Sequence, residues 1–360
     1  MITSTISNAI SLMRFVLPLF VVAMHVNAGV FSPDSESVEK IGESINLSIL
    51  MAAVPLFFAM SGFLFEMSSK SYSSKIRGRC NTLLLPYLAW NTLCSFWFLL
   101  LAHLKLASSE NIFANIGLSE FFILSFGLSV PVPLDFPLWF VRDLFLACLL
   151  YPLFSLFLKT FPRIFLSISF AIYLFGTLFA DIFMADSFPH SVEMFSKSSC
   201  TLFFFPLGIF LAMRSDKFSA WVENLNFKSI FSFATAFILL VCISYVALME
   251  GEQHLVMPLR RTSVFLGVIV FAIGAFLLTK RGYYPSKDSI FVQSSFFVFA
   301  GHFLLLSVVP RLVLKFIRPM LSNPFILQFL SIAIIYALLM ATYCAMRKLM
   351  PRVLFVLDGR

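Results

Sequence analysis

The sequence contains few charged residues. Asp, Glu, Lys and Arg make up 12% of its 360 residues, whereas 60% are hydrophobic and 47 residues are phenylalanine. A soluble domain has about 25% charged residues and does not expose this much apolar surface. The composition therefore excludes a soluble globular protein and indicates that much of the surface faces lipid.

The sequence also lacks any cysteine spacing that would indicate a metal site or a disulfide framework. Its cysteines are scattered singly, most of them within apolar runs: Cys80, Cys94, Cys148, Cys200, Cys242 and Cys344. Single cysteines in such runs are ordinarily small buried hydrophobic side chains. We therefore expect no metal and no permanently bound cofactor.

Linkers, disordered tracts and internal repeats are absent as well. Residues 1–360 are accordingly predicted to form a single membrane-embedded domain. The net charge of +8 could suggest a nucleic-acid partner, but the basic residues lie in short loops beside apolar runs. This distribution is typical of a protein whose partners are membrane lipids and favours no nucleic-acid partner.

Ten apolar runs are present, and most have the length that a bilayer requires of a helix, about 20 residues. Strands of a membrane barrel would be about ten residues long and would alternate in polarity. The sequence thus predicts an all-α polytopic bundle of about ten transmembrane helices, at 9–30, 47–66, 83–104, 137–158, 163–185, 199–214, 229–250, 260–279, 290–309 and 324–346.

The loops between these runs alternate in charge. Segment 31–46 is acidic and segment 67–82 is basic, and the alternation continues along the chain. With both termini cytoplasmic, the inner side collects 16 Lys and Arg residues and the outer side eight. The outer loop with Arg311, Lys315 and Arg318 departs from this rule. We expect the first run to be a retained helix rather than a cleaved signal peptide.

Two ionisable residues lie on the first predicted span. Arg14 and His25 are eleven residues apart, so at about 100° per residue they point to nearly the same face, about 16 Å apart along the axis. Charge within a span is costly, and such residues are functional candidates by default. The alternative is an arginine that extends its side chain to the interface and a capped histidine that lies at the interface.

Four further candidates come from the fourth and ninth spans. Arg142 and Asp143 lie at about the depth of His25, where Asp143 could hold a histidine tautomer or the two could form a structural pair. Trp139, one turn earlier, could anchor the helix at the interface or stack on a sugar. His302 lies in the middle of the ninth span, as either a packing residue or a functional one.

Several motifs in this order resemble acyltransferase family 3, the membrane O-acyltransferases of bacterial surface glycans. Arg14 and His25 match its Arg-x10-His motif, and the second span resembles its Pro-x-Phe-Phe-x-x-Ser-Gly-Phe pattern. The basic loop before the third span and the start of the fourth are also similar. The matching stretches are Val54-Pro-Leu-Phe-Phe-Ala-Met-Ser-Gly-Phe-Leu-Phe65, Arg77-Gly-Arg-Cys-Asn-Thr-Leu-Leu-Leu-Pro-Tyr87 and Leu138-Trp-Phe-Val-Arg-Asp143. Three residues before His302, where the family often has Tyr, this chain has Phe299.

The resemblance implies a stand-alone enzyme of the bacterial inner membrane that transfers an acyl group, most often acetyl, from cytosolic acyl-CoA. The acceptor would be a lipid-linked or polymeric glycan such as the O-antigen of lipopolysaccharide. His25 would then be the general base, with Arg14 and the Arg142–Asp143 pair in the catalytic group. Trp139, Ser61 and His302 would contact substrate.

In the same enzyme, Lys75, Arg77 and Arg79 of the basic loop would bind the phosphates of coenzyme A.

Other interpretations of these residues remain open. His25 could form an acyl intermediate, and Ser61 beside Gly62 could instead allow close helix packing. A secondary transporter or lipid-linked sugar flippase would also carry buried Arg, Asp and His, but would be expected to show repeated halves. A purely structural membrane protein would leave the buried charges unexplained.

Overall fold

The computed structural model is a bundle of helices, and it describes residues 3–32, 35–104, 123, 126–127, 133–184 and 189–359. Within these ranges every regular element is helical. The helices are α1 Ser4–His25, α2 Glu36–Ser44, α3 Ala53–Met67, α4 Tyr72–Arg79, α5 Leu85–His103, α6 Trp139–Leu149, α7 Tyr151–Thr160, α8 Pro162–Met184, α9 Pro189–Met213, α10 Ser215–Asn224, α11 Phe227–Met249, α12 Gln253–Lys280, α13 Ile290–Gln293, α14 Ser295–Leu306, α15 Val309–Phe316, α16 Pro324–Leu349 and α17 Pro351–Asp358. The predicted all-α class is confirmed.

Six stretches of the described chain are long and apolar enough to cross a membrane. Three further crossings arise if each sharply bent helix pair counts as one span, with bends of 60° between α6 and α7, 92° between α9 and α10, and 54° between α14 and α15. The part of α8 from Pro162 to Gly176 is a shorter apolar helix. The chain is therefore a multi-pass membrane protein.

Helix α1 runs through the core of the bundle, where it contacts α3, α12, α14 and α16. The hydroxyl of Thr3 caps its first turn by accepting a hydrogen bond from the Ile6 backbone N–H. The helix ends at His25, earlier than the predicted end at residue 30, because Asn27 begins a 3₁₀ turn over Ala28–Phe31. His25 consequently lies at a helix end, where its ring can face a cavity.

Helices α3 and α9 pack closely because each contributes a glycine at their crossing. A Cβ on Gly62 would meet the backbone carbonyl of Phe205, and a Cβ on Gly208 would meet that of Ala59. Small residues permit this close backbone approach, which stabilises helix pairs in lipid. The neighbouring Ser61 is thereby held on the side of α3 that faces α1 and α6.

Helix α14 carries His302 into the centre of the bundle, next to α1. The chain then bends by 54° into α15, whose apolar residues Val309 and Val313 are buried. Lys315, in the last turn of this short helix, is exposed. The basic residues that departed from the charge rule thus lie on or beside a short amphipathic helix rather than in an ordinary loop.

Candidate active site

The first feature of the site is a stacked pair of histidines. The rings of His25 and His302 have centroids 5.3 Å apart and planes inclined by 30°. The edge of the Phe136 ring meets His25 from the other side, with centroids 5.7 Å apart. The structure thereby brings together one residue of the Arg-x10-His motif and the mid-span histidine of α14.

The orientation of His302 is set by its own helix. Its Nδ1 hydrogen-bonds to the backbone oxygen of Phe299, one turn earlier. Because a carbonyl oxygen only accepts, Nδ1 must carry the hydrogen, which leaves Nε2 of the neutral ring with a lone pair. Nε2 is buried without a hydrogen-bond partner in the described part of the chain. Buried polar atoms without a partner are uncommon in folded proteins, and a catalytic role is one reason for them.

His25 opens into a cavity of about 450 Å³ at the C-terminal end of α1, the His25 cavity. Its wall combines aromatic rings with ionisable side chains. The residues on which the site depends are His25, Glu43, Trp139, Tyr173, Lys197, Arg260 and Arg261. A concave pocket with a few convergent polar groups on an apolar wall is typical of small-molecule sites.

The charged side chains of this wall are held by specific contacts. Arg260 donates from Nη2 to Oε1 of Glu43 at 3.0 Å. Arg261 lies over the ring of Tyr173, 5.0 Å from its centroid. The ammonium of Lys197 lies 4.5 Å from the ring centroid of Phe136, so a cation and His25 share the same aromatic neighbour.

A second cavity of about 260 Å³ lies nearer the N-terminal half of α1 and is called the Arg14 cavity. Arg14, Ser61 and Arg79 line it, as does Asp358 at the end of α17. The C-terminal helix is anchored there because the indole N–H of Trp90 donates to the Leu357 carbonyl at 2.8 Å. Two arginines thus lie in one cavity with a hydroxyl and the carboxylate of Asp358.

Aromatic rings lie between the Arg14 cavity and the histidine pair. Phe57, Phe140 and Phe299 all line that cavity. The ring of Phe299 lies 5.8 Å from Phe140 and 6.2 Å from the ring of His302, centroid to centroid. His302 itself is fully buried and lines neither cavity. The histidine pair is therefore bounded by the His25 cavity on one side and by this aromatic layer on the other.

Arg142 and Asp143 form an ion pair with each other. Arg142 Nε donates to Asp143 Oδ1 at 3.0 Å, and its Nη1 donates to the Gly127 carbonyl at 3.2 Å. The second carboxylate oxygen of Asp143, Oδ2, is buried without a hydrogen-bond partner among the described residues. Trp139, on the same helix, is buried and lines the His25 cavity.

The three predicted cations of the basic loop are not equivalent. Lys75 donates from Nζ to the Phe65 carbonyl at 2.7 Å and lies over the rings of Phe65 and Tyr151. Arg77 is exposed. Arg79 alone of the three lines the Arg14 cavity. Residues two apart on a helix point about 200° apart, so Arg77 cannot face the cavity that Arg79 lines.

Several polar residues near the histidines were not predicted as site residues. Lys197, Arg260 and Arg261 lie at or just outside the ends of apolar runs, where the charge rule accounts for basic residues without a functional role. Asp135 is fully buried directly before Phe136, and neither of its carboxyl oxygens has a hydrogen-bond partner in the described segments. The sequence offered one signal for these missed residues, which is that Arg260 and Arg261 are adjacent at the start of the eighth apolar run.

Comparison with known proteins gives an independent assignment. A family model described as an acyltransferase domain matches residues 7–345. The chain is 27% identical to the succinoglycan biosynthesis protein ExoH of Rhizobium meliloti (strain 1021), over 375 aligned residues that cover 99% of this chain and 93% of the relative. No solved structure matches the chain. Because the family model spans nearly the whole chain, with the Arg14–His25 helix and His302 inside it, the protein belongs to acyltransferase family 3.

Proposed function

We propose that the protein transfers an acyl group from cytosolic acyl-CoA to a sugar hydroxyl of a surface polysaccharide, with His25 as the general base. The observation that carries the proposal is the position of the stacked histidines between the His25 cavity and the aromatic layer of the Arg14 cavity. In this proposal the acceptor approaches the pair from the His25 cavity, and the donor approaches it from the Arg14 cavity.

The Arg14 cavity is the donor side in this proposal. Ten spans with both termini in the cytoplasm, the topology that the loop charges favour, would place Arg14 towards the cytosol of a bacterial inner membrane. Arg14 and Arg79 would bind phosphate or carbonyl oxygens of the donor, because guanidinium groups contact such oxygens in pairs. A cavity of about 260 Å³ suits a short acyl group with part of its thioester arm.

The His25 cavity is the acceptor side. Its volume of about 450 Å³ and its aromatic wall suit a sugar ring, which Trp139 can stack against. The relative from Rhizobium meliloti carries succinoglycan biosynthesis in its name, which supports a bacterial polysaccharide as the acceptor. O-antigen is one such acceptor, and acetyl is the donor group we favour over succinyl or another short acyl group.

The reaction then needs one proton transfer and one bond exchange. His25 takes the proton of the sugar hydroxyl as that oxygen attacks the thioester carbonyl. The carbon–sulfur bond breaks, and the departing thiolate takes the proton back from the imidazolium, so that an ester and free coenzyme A leave. His302 would hold the His25 ring in position. The hydrogen bond from His302 Nδ1 to the Phe299 carbonyl fixes the ring that stacks on His25.

A covalent variant of this mechanism uses the same residues. An acyl-histidine at His25 would split the transfer into two steps. Ser61, which lines the Arg14 cavity, would then donate a hydrogen bond to the acyl-CoA. A burst of free coenzyme A in the absence of acceptor, equal to the amount of enzyme, would support the covalent route.

The test is mass spectrometry of surface glycans from cells with and without the protein. A mass increment of one acetyl group per repeat that requires wild-type His25 is the expected result. An unchanged set of surface glycans would contradict the proposal and favour the transporter or flippase alternative. Release of coenzyme A by the purified protein on addition of glycan checks the same reaction without the cell.

A further inference from the structure

Asn46 is a buried amide that lines the His25 cavity. It is 6% exposed, and its Oδ1 accepts no hydrogen bond from any residue that the structure describes. It lies in a single turn of π-helix, Ile45–Ile49, inside the continuous helical stretch Glu36–Met67. Such turns within longer helices are frequent at functional sites. An unpaired amide oxygen inside an apolar bundle costs free energy, which a hydrogen bond from a ligand would offset.

Arg260 supplies the complementary donor in the same wall. It is 8% exposed, it lines the His25 cavity, and its Nη2 donates to Oε1 of Glu43 at 3.0 Å. Its Nε is also buried but has no hydrogen-bond partner within the described ranges. A guanidinium N–H only donates. The wall therefore presents one acceptor and one donor that the described residues leave unbonded.

Glu43 brings these two atoms to the same part of the wall. Glu43 and Asn46 are three residues apart on one helical stretch, so their side chains are neighbours. The π-helical turn packs against α12, which carries Arg260, and Glu43 binds the guanidinium of Arg260. Because the charge of Arg260 is paired with that of Glu43, the site suits an uncharged ligand that is recognised by hydrogen bonds.

From this pair we infer that Asn46 and Arg260 select the acceptor sugar by binding a neighbouring donor and acceptor on its ring, while the hydroxyl to be acylated faces His25. The inference rests on the proposed function, which makes this cavity the acceptor site. Two sugar groups offer this chemistry. Of two adjacent hydroxyls, one donates to Asn46 Oδ1 and the other accepts from Arg260 Nε. An acetamido group donates from its N–H and accepts at its carbonyl in the same way.

Thermal unfolding of the full-length protein in detergent micelles, without donor, tests this inference. The probes are the methyl glycosides of glucose, galactose and N-acetylglucosamine, each at increasing concentration, since a ligand of the folded state raises the unfolding midpoint. At least one probe should bind. Its analogues that lack one ring hydroxyl, or the acetamido group, should include some that bind about ten-fold more weakly, because Asn46 or Arg260 is then left unpaired. Two adjacent sensitive hydroxyls assign a diol, and sensitivity to the acetamido group assigns that group.

Variants show whether these two side chains are responsible. Asn46→Leu and Arg260→Lys should each weaken binding of the best probe about ten-fold, and each should remove the discrimination against one of the analogues. Lysine keeps the charge that pairs with Glu43. Asn224→Leu and Arg281→Lys are the matched controls, because both residues are exposed and line neither cavity. If Arg260→Lys does not fold, Asn46→Leu decides alone, since Asn46 Oδ1 accepts no hydrogen bond from the described residues.

The inference would be overturned if no probe stabilised the wild-type protein more than it stabilises Asn46→Leu. Equal binding of a probe and all its analogues would also overturn it and would leave the two atoms to buried water. Acyl transfer measured on the same preparation separates this failure from that of the proposed function. Transfer without discrimination among the analogues would keep the reaction and remove the recognition by Asn46 and Arg260. Discrimination without transfer to any sugar would keep the recognition and remove the reaction.

Discussion

His25 and His302 come from α1 and α14 and stack with their ring centroids 5.3 Å apart. They differ in access, because His25 lines a cavity whereas His302 is fully buried. They also differ in bonding, because His302 Nδ1 is bound to the Phe299 carbonyl. In the proposed reaction His25 therefore meets the acceptor, and His302 positions the ring of His25.

His25→Ala is expected to abolish acyl transfer while the protein still inserts into the membrane. General bases contribute about 10²- to 10⁴-fold to a rate, and no other described histidine lines the cavity. Alanine suits a helix end and removes no described hydrogen bond of the His25 side chain. The measurement is the rate of ester formation by purified protein, together with the amount of protein in the membrane fraction.

The matched control is His103→Ala. His103 is exposed at the end of α5, so its loss should leave both transfer and insertion unchanged. Wild-type rates in His25→Ala would remove this residue as the base.

His302→Phe should lower kcat by about ten-fold or more, with a smaller change in KM, because a ring of similar shape keeps the packing but removes both nitrogens. Phe303→Leu is the control on the next residue, whose ring meets Phe98 instead of His25. Circular dichroism melts of both variants exclude unfolding as the cause. Unchanged kcat in His302→Phe would reduce His302 to a packing residue.

The sequence alone predicted the helical class and singled out two candidate residues of the first span, for a simple physical reason. Lipid makes ionisable residues costly, so Arg14 and His25 stand out against 60% hydrophobic residues. Their eleven-residue spacing also predicted that both point to nearly the same face of the helix, and each lines a cavity. The resemblance to a family was equally local, because each of its motifs is a short continuous stretch of the chain.

The residues that contact Arg14 and His25 could not be predicted from the sequence, because these contacts depend on which helices pack together. That His302 stacks on His25 requires α14 to lie beside α1, and no spacing encodes this contact. Arg260 and Arg261 looked like ordinary residues near a span end, and only the packing of α12 turns them towards the cavity. Lys75 was grouped with Arg79, although the Phe65 carbonyl binds its ammonium.

Arg14→Lys is expected to raise the KM for acyl-CoA about ten-fold or more, because lysine keeps the charge but loses the paired donors of a guanidinium. The measurement is the donor dependence of coenzyme A release at saturating acceptor. Arg347→Lys serves as control, since Arg347 bonds to Gln293 and lines neither cavity. Wild-type kinetics in Arg14→Lys would reduce Arg14 to a charge that anchors the helix.

Arg79→Gln and Arg77→Gln remove the same charge from the same helix end, but only Arg79 lines the Arg14 cavity. We expect Arg79→Gln to raise the KM for acyl-CoA several-fold and Arg77→Gln to change it by less than about two-fold, as is usual for exposed charges. Equal effects of the two variants would indicate that the basic loop acts through its total charge. Measuring both in 50 mM and 500 mM salt distinguishes a screened effect from a direct contact.

Gly62→Ala tests whether the α3–α9 contact holds the site in place. The new Cβ would meet the Phe205 carbonyl, and backbone atoms cannot move aside as a side chain can, so the helices must separate. Overpacking of this kind costs about 1–3 kcal/mol, which should lower the midpoint of thermal unfolding in detergent. Gly78→Ala is the matched control in α4, where nothing lies within 4 Å of an added Cβ and alanine favours the helix. A Gly62→Ala midpoint equal to that of Gly78→Ala would mean that α3 and α9 do not depend on this close approach, and that Ser61 reaches the Arg14 cavity for another reason.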